Sequence, residues 1–502
     1  MPRHREETPR EIRRISRRDE GMNAAAESAP APPRETHNMR LDAPLLESPT
    51  EERSRRGVGV LAATISLVKT CIGTGVMALP FAFNEAGALA LPCLLLLGCW
   101  NYHNCKQLLH ARVAMEARVE SHHLRATNSA YSAVVHAAIG RAGVLINEGS
   151  ICVSLTLVCA SLQVQAAQLM TASLDVPYSI CIVATGCGLV PLVLLRSLNK
   201  LASVAAVSLS VLALSLLAVG AHGLALYGPP SWPPPAALIR WPAPHAVAIF
   251  FGIASFSFGL QALLMPVQDG MSHPQRASTA VAYASAVVVG AYAVIALLLA
   301  WIFDADPAGV QQVILLNLGH ESLLASTVQL GSALVAVLSY PLPMMPVVQL
   351  AANLIGHRVD GDGGGGGKNV EVGAGGKGIS GSRLRDASLR IGLLLTTTLL
   401  ALCIPQFGIA AGLAGCLTIV SANVLPPLCH LRLCSWPTLT VAQRLDNEAS
   451  VLAFGERGPP TRRPVVAALD VLLLAAGCAS FSYFTLQFVI ELGCIWAGAA
   501  DE

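Results

Sequence analysis

Charged residues are scarce in this sequence, and so are the signals of several common protein classes. Asp, Glu, Lys and Arg make up 13% of the 502 residues, whereas a soluble domain has about 25%. No Asn-x-Ser/Thr sequon occurs, so we expect no N-glycan. The 14 Cys residues lie mostly in apolar runs, with no CxxC and His pattern, and are interpreted as small packing residues. The sequence therefore predicts no metal site and no cofactor. The net charge of +2 gives no indication of nucleic-acid binding, and no nucleic-acid partner is predicted.

Apolar residues dominate instead. They make up 53% of the chain, and the mean hydropathy is +0.57. A helix needs about 20 apolar residues to cross a bilayer. About eleven runs reach or approach that length: 58–83, 87–109, 143–171, 178–195, 200–226, 246–268, 277–303, 323–355, 389–404, 408–433 and 465–494. The sequence thus predicts an all-α polytopic protein embedded in a lipid bilayer.

The connections between these runs alternate in their content of Lys and Arg. The connections rich in these residues are 110–142, 196–200, 269–276, 356–388 and 434–464. Arg240 is the one Lys or Arg in the connections 172–177, 227–245 and 304–322. Since Lys and Arg are enriched on the cytosolic side, we predict a cytosolic N-terminus and an extracytosolic C-terminus. The membrane itself, vacuolar, endolysosomal or plasma, stays open.

Two segments differ in composition from the membrane runs. Residues 1–57 are rich in Arg, Glu and Pro and are predicted to form a disordered cytosolic tail. Residues 356–388 include the Gly363–Gly367 run and are predicted to be a flexible cytosolic linker. The rest, 58–495, is interpreted as one transmembrane domain that ends with helix eleven, 465–494.

The first apolar run contains an irregular stretch. Val68–Pro80 reads VKTCIGTGVMALP, with Gly73 and Gly75 on either side of Thr74. Each Gly favours a helix by about 1 kcal/mol less than Ala, and Pro80 has no N–H to donate. Non-helical backbone at membrane depth survives only beside a cavity, where free carbonyls suit an ammonium group and free N–H groups suit a carboxylate. The stretch therefore predicts an amino-acid site; the alternative is a Gly-kinked helix packed on a neighbour.

The sixth apolar run has a matching irregular stretch. Small and polar residues collect between Ser255 and Gly259 within Phe250–Pro266. The two stretches open successive blocks of five runs, so the first repeat, 58–226, and the second, 246–433, are predicted to have opposite orientations in the membrane. Interrupted helices at matching positions of two such halves indicate the midplane site of a transporter. The second stretch therefore favours the ligand interpretation of the first.

Lys69 is the ionisable residue that lies deepest in an apolar run. It is about 16 Å from Val58 at 1.5 Å per residue, which is near the middle of a bilayer. Ionisable residues at this depth are usually functional, so we predict a role for Lys69 in ion coupling. The alternative is a Lys that extends to the cytosolic interface. Glu85, after the first run, is interpreted as either a gate or a rim charge.

The irregular stretches and three shorter motifs resemble the amino acid/auxin permease family. Val68–Pro80 is similar to that family's first helix, and Gly252–Arg276 (GIASFSFGLQALLMPVQDGMSHPQR) to its sixth. Ser339–Leu342 (SYPL), Ile404–Phe407 (IPQF) and Leu425–Leu428 (LPPL) resemble its eighth helix, its ninth-to-tenth hinge and its tenth helix. The branch that the chain resembles is that of proton-coupled and vacuolar amino acid transporters.

This resemblance implies a LeuT-like fold of the APC superfamily, with a five-plus-five inverted repeat and broken helices 1 and 6. It also implies that both breaks bind the substrate. The implied substrate-binding residues are Thr70, Cys71, Gly73, Thr74, Gly75, Ser255, Phe256, Ser257, Phe258 and Gly259. The candidates for ion coupling are Lys69, Ser339 and Tyr340. Sodium-coupled relatives carry an Asn near the position of Lys69 or Thr70, so its absence implies coupling to protons or facilitated exchange.

The leading hypothesis is a secondary transporter that moves small neutral amino acids across a membrane by alternating access, with protons as the coupling ion. The alternative is a receptor that binds the amino acid and signals with little flux; such a protein would bind substrate but show no uptake into proteoliposomes. An enzyme is not predicted, because no paired carboxylates or His and Asp groups lie at one membrane depth.

Overall fold

The computed structural model describes residues 57–117, 129–194, 198–230, 232–319, 322–354, 378–434 and 464–498. Within these ranges the chain is helical, and the β-structure is one isolated bridge. The helices are α1 Val60–Cys71, α2 Leu79–Ala86, α3 Ala90–Glu116, α4 Ala130–Ile139, α5 Arg141–Leu174, α6 Tyr178–Leu194, α7 Leu198–Tyr227, α8 Ala236–Ile239, α9 Pro244–Ser257, α10 Gln261–Gly270, α11 Ala277–Phe303, α12 Leu323–Ser339, α13 Pro341–Leu354, α14 Gly378–Cys403, α15 Phe407–Ile419, α16 Leu425–Cys434 and α17 Pro464–Gly498. The all-α prediction is confirmed.

The described helices account for every predicted membrane run. Eight helical segments within the described ranges are long and apolar enough to cross a membrane, judged by length and composition. The shorter helices α1, α6 and α9 fall in the first, fourth and sixth predicted runs. Leu side chains such as Leu145, Leu214 and Leu217 are more than 60% exposed. An apolar outer surface of this kind suits contact with lipid, so the chain is a multi-pass membrane protein.

The first and sixth predicted runs are both interrupted, as the sequence predicts. The first ends as α1 at Cys71, passes through a 3-10 turn at Thr74–Ala78 and resumes as α2. Pro80 is accommodated in the first turn of α2, where its missing N–H breaks no helical hydrogen bond. The sixth ends as α9 at Ser257 and resumes as α10 at Gln261. Its break thus lies at the C-terminal edge of the predicted stretch.

The eighth predicted run, 323–355, is also two helices rather than one. The backbone N–H of Tyr340 donates to the carbonyl of Val337, three residues back, at 3.3 Å. Pro341 has no N–H to continue the helical pattern, so α12 ends and α13 begins there. The two helices still form one segment, Leu323–Ala352, that is long and apolar enough to cross a membrane.

The ninth predicted run is longer than expected. Its helix α14 begins at Gly378, so residues 378–388, predicted as linker, are helical. A buried pair at helical spacing supports this first part, with Arg390 Nε 3.1 Å from Asp386 Oδ1. The remainder of the predicted linker, 356–377, lies outside the described residues, as does the predicted tail up to residue 56.

Glycine contacts bring α9 and α15 together at the centre of the bundle. A Cβ atom built on Gly415 would lie 1.8 Å from the carbonyl oxygen of Gly252, so only glycine fits at this crossing. Helix α15 also packs on α5, while α9 packs on α2 and α11 packs on both α1 and α2. The two interrupted helices therefore pack against α3, α11 and α15.

Candidate functional site

The first break is a short stretch of extended backbone. Ile72 has φ −75° and ψ 89°, and Gly73 has φ −130° and ψ −160°, so neither residue is helical. A Cβ atom built on Gly73 would have no other atom within 4 Å. The break therefore has free space beside it, as expected where a ligand is bound.

The second break has the same character. Phe258 has φ −101° and ψ 31°, which ends α9. Its carbonyl accepts hydrogen bonds from the backbone of Leu260 at 2.7 Å and from Asn101 Nδ2 of α3 at 3.2 Å. A Cβ atom built on Gly259 would also have no other atom within 4 Å. Open space thus adjoins both breaks.

The two breaks are in direct contact with each other. A Cβ atom at Gly75 would lie 2.6 Å from Ser257 Oγ and 2.8 Å from a ring carbon of Phe256. The absence of a side chain at Gly75 lets the 3-10 turn approach the end of α9 this closely. The structure therefore brings together Cys71, Gly73 and Gly75 with Ser257 and Phe258, all predicted as site residues.

Tyr292 of α11 lies between the two breaks. Its hydroxyl oxygen is 2.6 Å from the carbonyl oxygen of Cys71 and 2.9 Å from that of Ser257. These are the last residues of α1 and α9, where unpaired carbonyls give a helix end partial negative charge. Two such ends side by side favour a group with several hydrogen-bond donors, such as an ammonium group.

Three polar side chains in the helices of the breaks or beside them have buried atoms without hydrogen-bond partners. Ser255 Oγ and both amide atoms of Gln261 have none among the described residues, and neither does Oε1 of Gln165. Gln261 is the first residue of α10, and the amide nitrogen of Gln165 contacts the sulfur of Met77 at 2.9 Å. Buried polar atoms without partners are rare in proteins. A polar ligand or water would complete the hydrogen bonding of these atoms.

Other predicted site residues lie apart from the breaks. Thr70 donates to the carbonyl of Ser66 in its own helix at 3.0 Å. Lys69 is exposed on α1. The Tyr340 hydroxyl is 2.7 Å from Thr397 Oγ1 of α14. These positions place Thr70, Lys69 and Tyr340 outside the contacts described above.

The structure places the other four predicted site residues at helix ends or in turns; they are Ser255, Phe256, Thr74 and Ser339. Ser255 and Phe256 lie in the last turn of α9, next to the second break, and Ser339 ends α12. Thr74 begins the 3-10 turn, and its side chain lies outside the described residues.

Sequence reasoning missed Tyr292, Asn101, Gln165 and Gln261. A polar side chain inside an apolar run is a signal of function, and each of these residues has it. Their partners, however, are distant in sequence: Tyr292 and Cys71 are 221 positions apart. Composition alone could not connect them.

The end of the bundle at which α1 begins is closed by backbone and ionic contacts. The N–H of Val58 donates to the carbonyl of Gly270 at 2.9 Å, and the N–H of Ser272 donates to Val58 at 3.0 Å. Arg112 of α3 lies 2.6 Å from Asp269 of α10. The start of the first interrupted helix is thus tied to the end of the sixth.

The opposite end has a weaker contact. Glu85 Oε2 is 3.9 Å from Arg240 Nη2, with the Arg side chain 52% exposed. An exposed pair at this distance contributes little to stability. The backbone of Arg240 also accepts a hydrogen bond from Ala88 at 3.1 Å, so this connection packs on the end of α2.

One family model matches most of this chain. A model of the transmembrane amino acid transporter protein family matches residues 56–451. The chain belongs to this family. The resemblance seen in the sequence motifs is therefore confirmed, and the match includes both interrupted helices.

Two yeast proteins resemble part of this member of the transmembrane amino acid transporter family. Vacuolar amino acid transporter 3 of Saccharomyces cerevisiae (strain ATCC 204508 / S288c) is 32% identical over 106 residues, which cover 21% of this chain and 15% of the yeast protein. Vacuolar amino acid transporter 4 of the same strain is 30% identical over 105 residues, covering 21% and 14%. The matches thus span about a seventh of these relatives.

Two solved transporter structures are similar to this family member over most of its length. The crystal structure of MhsT in complex with L-phenylalanine has a TM-score of 0.46 and 12% identity, covering 86% of this chain and 99% of MhsT. The manganese transporter of Eremococcus coleocola, solved with an aromatic bis-isothiourea substituted compound, has a TM-score of 0.44 and 11% identity, covering 89% and 88%.

Proposed function

We propose that this protein transports amino acids across a membrane by alternating access around its two interrupted helices. The observation that carries the proposal is the meeting of the breaks, with open space at Gly73 and Gly259 and the ends of α1 and α9 side by side. The carbonyl ends of half-helices attract an ammonium group, and the N–H ends attract a carboxylate. Family membership is consistent with this chemistry.

The substrate class proposed is small neutral amino acids. The residues at the breaks, from Cys71 to Gly75 and from Ser255 to Gly259, carry no charged side chain. The surrounding Asn101 and Tyr292 are also uncharged. A substrate held there would be bound through its own ammonium and carboxylate by backbone groups, and a charged substrate side chain would lack a partner of opposite sign.

Coupling to protons and a vacuolar or endolysosomal membrane are further parts of the proposal. By resemblance, sodium-coupled relatives carry an Asn near the position of Lys69 or Thr70, and this chain has none there. This absence supports coupling to protons. The names of the two yeast relatives support the membrane, with the plasma membrane as the alternative. The alternating Lys and Arg content of the connections supports a cytosolic N-terminus.

Uptake into proteoliposomes tests the proposal. Purified protein is reconstituted and given a panel of labelled neutral, acidic and basic amino acids, with proton and sodium gradients imposed separately. We expect uptake of small neutral amino acids that rises with an inward proton gradient and is indifferent to sodium. Binding of an amino acid with no uptake under any gradient would instead identify a receptor.

A further inference from the structure

Two carbonyl oxygens at the centre of the bundle share one hydrogen-bond donor. The Tyr292 hydroxyl oxygen lies within hydrogen-bond distance of the carbonyls of both Cys71 and Ser257, at 2.6 and 2.9 Å. A phenol has a single proton to donate. At any instant the hydroxyl therefore donates to one carbonyl, and the other lacks that donor.

The Tyr292 hydroxyl lies between two helix ends that carry partial charge of the same sign. Both carbonyls belong to the last residue of a helix, and helix C-termini carry partial negative charge. Two such ends repel each other unless a donor lies between them. In a buried site this repulsion is screened far less than in water. The hydroxyl of Tyr292 is the group in that position.

The rest of Tyr292 is held firmly. The residue is fully buried and belongs to the uninterrupted helix α11. Its ring meets that of Phe258 edge to face, with centroids 5.4 Å apart and planes at 72°. Such geometry is favourable for aromatic pairs. The hydroxyl is therefore fixed relative to α11, and a movement of α1 or α9 must break its contact with Tyr292.

The two helix ends are not held equally. Asn101 Nδ2 of α3 donates to the carbonyl of Phe258, next to the end of α9. The end of α9 therefore has a second side-chain hydrogen bond. Among the described residues, Tyr292 supplies the one side-chain hydrogen bond to the carbonyl of Cys71. Loss of the Tyr292 hydrogen bond would therefore release the end of α1 more readily than the end of α9.

We infer that Tyr292 is a positioning residue of the transport cycle, an inference that rests on the transport function proposed above. Its hydroxyl holds the ends of α1 and α9 together while the site is closed, and its contact with Cys71 breaks when the site opens. The contact of the Tyr292 hydroxyl with the two carbonyls is called the tie. Because a single proton serves two acceptors, the tie is weaker than two separate hydrogen bonds. It can therefore break and re-form in each cycle.

The test uses Cys71 itself as the reporter. Its side chain is 4% exposed, so a water-soluble maleimide reacts with it only when the end of α1 opens. The rate of alkylation at Cys71 is measured by mass spectrometry in the full-length protein in proteoliposomes. In Tyr292→Phe we expect this rate to rise about tenfold, which corresponds to about 1.4 kcal/mol. Amino-acid uptake by the same samples should show a raised KM.

The matched control is Tyr178→Phe. That hydroxyl donates to one carbonyl, of Ala401 at 2.9 Å, and joins α6 to α14, away from the breaks. We expect the Cys71 rate to be unchanged in this variant. Cys159, which is fully buried in α5, is the reference within each sample and should stay slow throughout.

The outcomes separate this inference from the proposed function. A Tyr292→Phe protein with lower thermal stability but an unchanged Cys71 rate would show a structural role alone and overturn the inference. Wild-type protein that takes up no amino acid would defeat the transport proposal, while a faster Cys71 reaction in Tyr292→Phe would still support the tie. If Tyr292→Phe does not fold, Phe258→Leu, which loosens the ring and keeps the hydroxyl, should raise the Cys71 rate less strongly; no rise would also overturn the inference.

Discussion

One added methyl group at Gly75 should push the two breaks apart. A Cβ atom there would lie 2.6 Å from Ser257 Oγ and within 3 Å of two ring carbons of Phe256. These distances are well inside the 3.4 Å at which ordinary contact begins. Ser257 Oγ cannot easily turn away, because it donates to the carbonyl of Ile253 at 3.0 Å. Gly75→Ala therefore requires the 3-10 turn or the end of α9 to move.

The expected cost of this overlap can be estimated from core substitutions. Inserting a methyl group into a well-packed site costs about 1–3 kcal/mol. Gly75 is not in the left-handed backbone region, so no backbone strain adds to that figure. We expect the Gly75→Ala protein to fold, to melt at a lower temperature than wild type and to bind its substrate more weakly.

Thermal melting in detergent and uptake in proteoliposomes would measure both effects. Gly149→Ala is the matched control, because a Cβ atom on that exposed glycine of α5 would meet nothing within 4 Å. Its melting temperature and uptake should match those of wild type. If Gly75→Ala behaved like Gly149→Ala in both assays, the close approach of the two breaks would be refuted.

Three further predictions concern other parts of the bundle. Gly415→Ala should prevent folding or lower the melting temperature severely, since its Cβ atom would lie 1.8 Å from the Gly252 carbonyl oxygen; near-normal stability would contradict the α9–α15 packing. His430→Ala should destabilise the protein by on the order of 3 kcal/mol, because Asp470 Oδ2 loses its partner at 2.7 Å; an unchanged melting temperature would contradict this. Lys69→Ala should alter the pH profile of uptake, and an unchanged profile would remove Lys69 from proton coupling.

The sequence was most informative where local chemistry alone decides the structure. Gly73 interrupts the first run because glycine is a poor helix former, and the break lies where this residue predicts it, while Pro80 lies in the first turn of the helix that follows. The small and polar residues between Ser255 and Gly259 accompany the second break in the same way. The lengths of the apolar runs were enough to predict helices, and eight helical segments in the described ranges are long and apolar enough to cross a membrane.

The sequence was least informative where distant residues meet. Tyr292 lies in a mostly apolar run, and its role follows from contact with Cys71 and Ser257, which no local pattern encodes. Lys69 shows a second limit of local pattern. Its depth in the run indicated a position near the middle of the bilayer, and the structure adds that its side chain is exposed on α1. The face that a helix residue presents depends on packing, which apolar run length does not define.

The account depends most directly on the open space beside the two breaks. Gly73→Leu and Gly259→Leu would each place a side chain in that space without meeting another atom at Cβ. Gly188→Leu and Gly290→Leu are the matched controls, because these glycines are exposed on the outside of α6 and α11 and also meet nothing within 4 Å. Labelled amino-acid uptake by all four variants, compared at equal amounts of folded protein, is the decisive measurement. The account predicts loss of uptake in the first pair and wild-type uptake in the second; normal uptake by both Gly73→Leu and Gly259→Leu would contradict it.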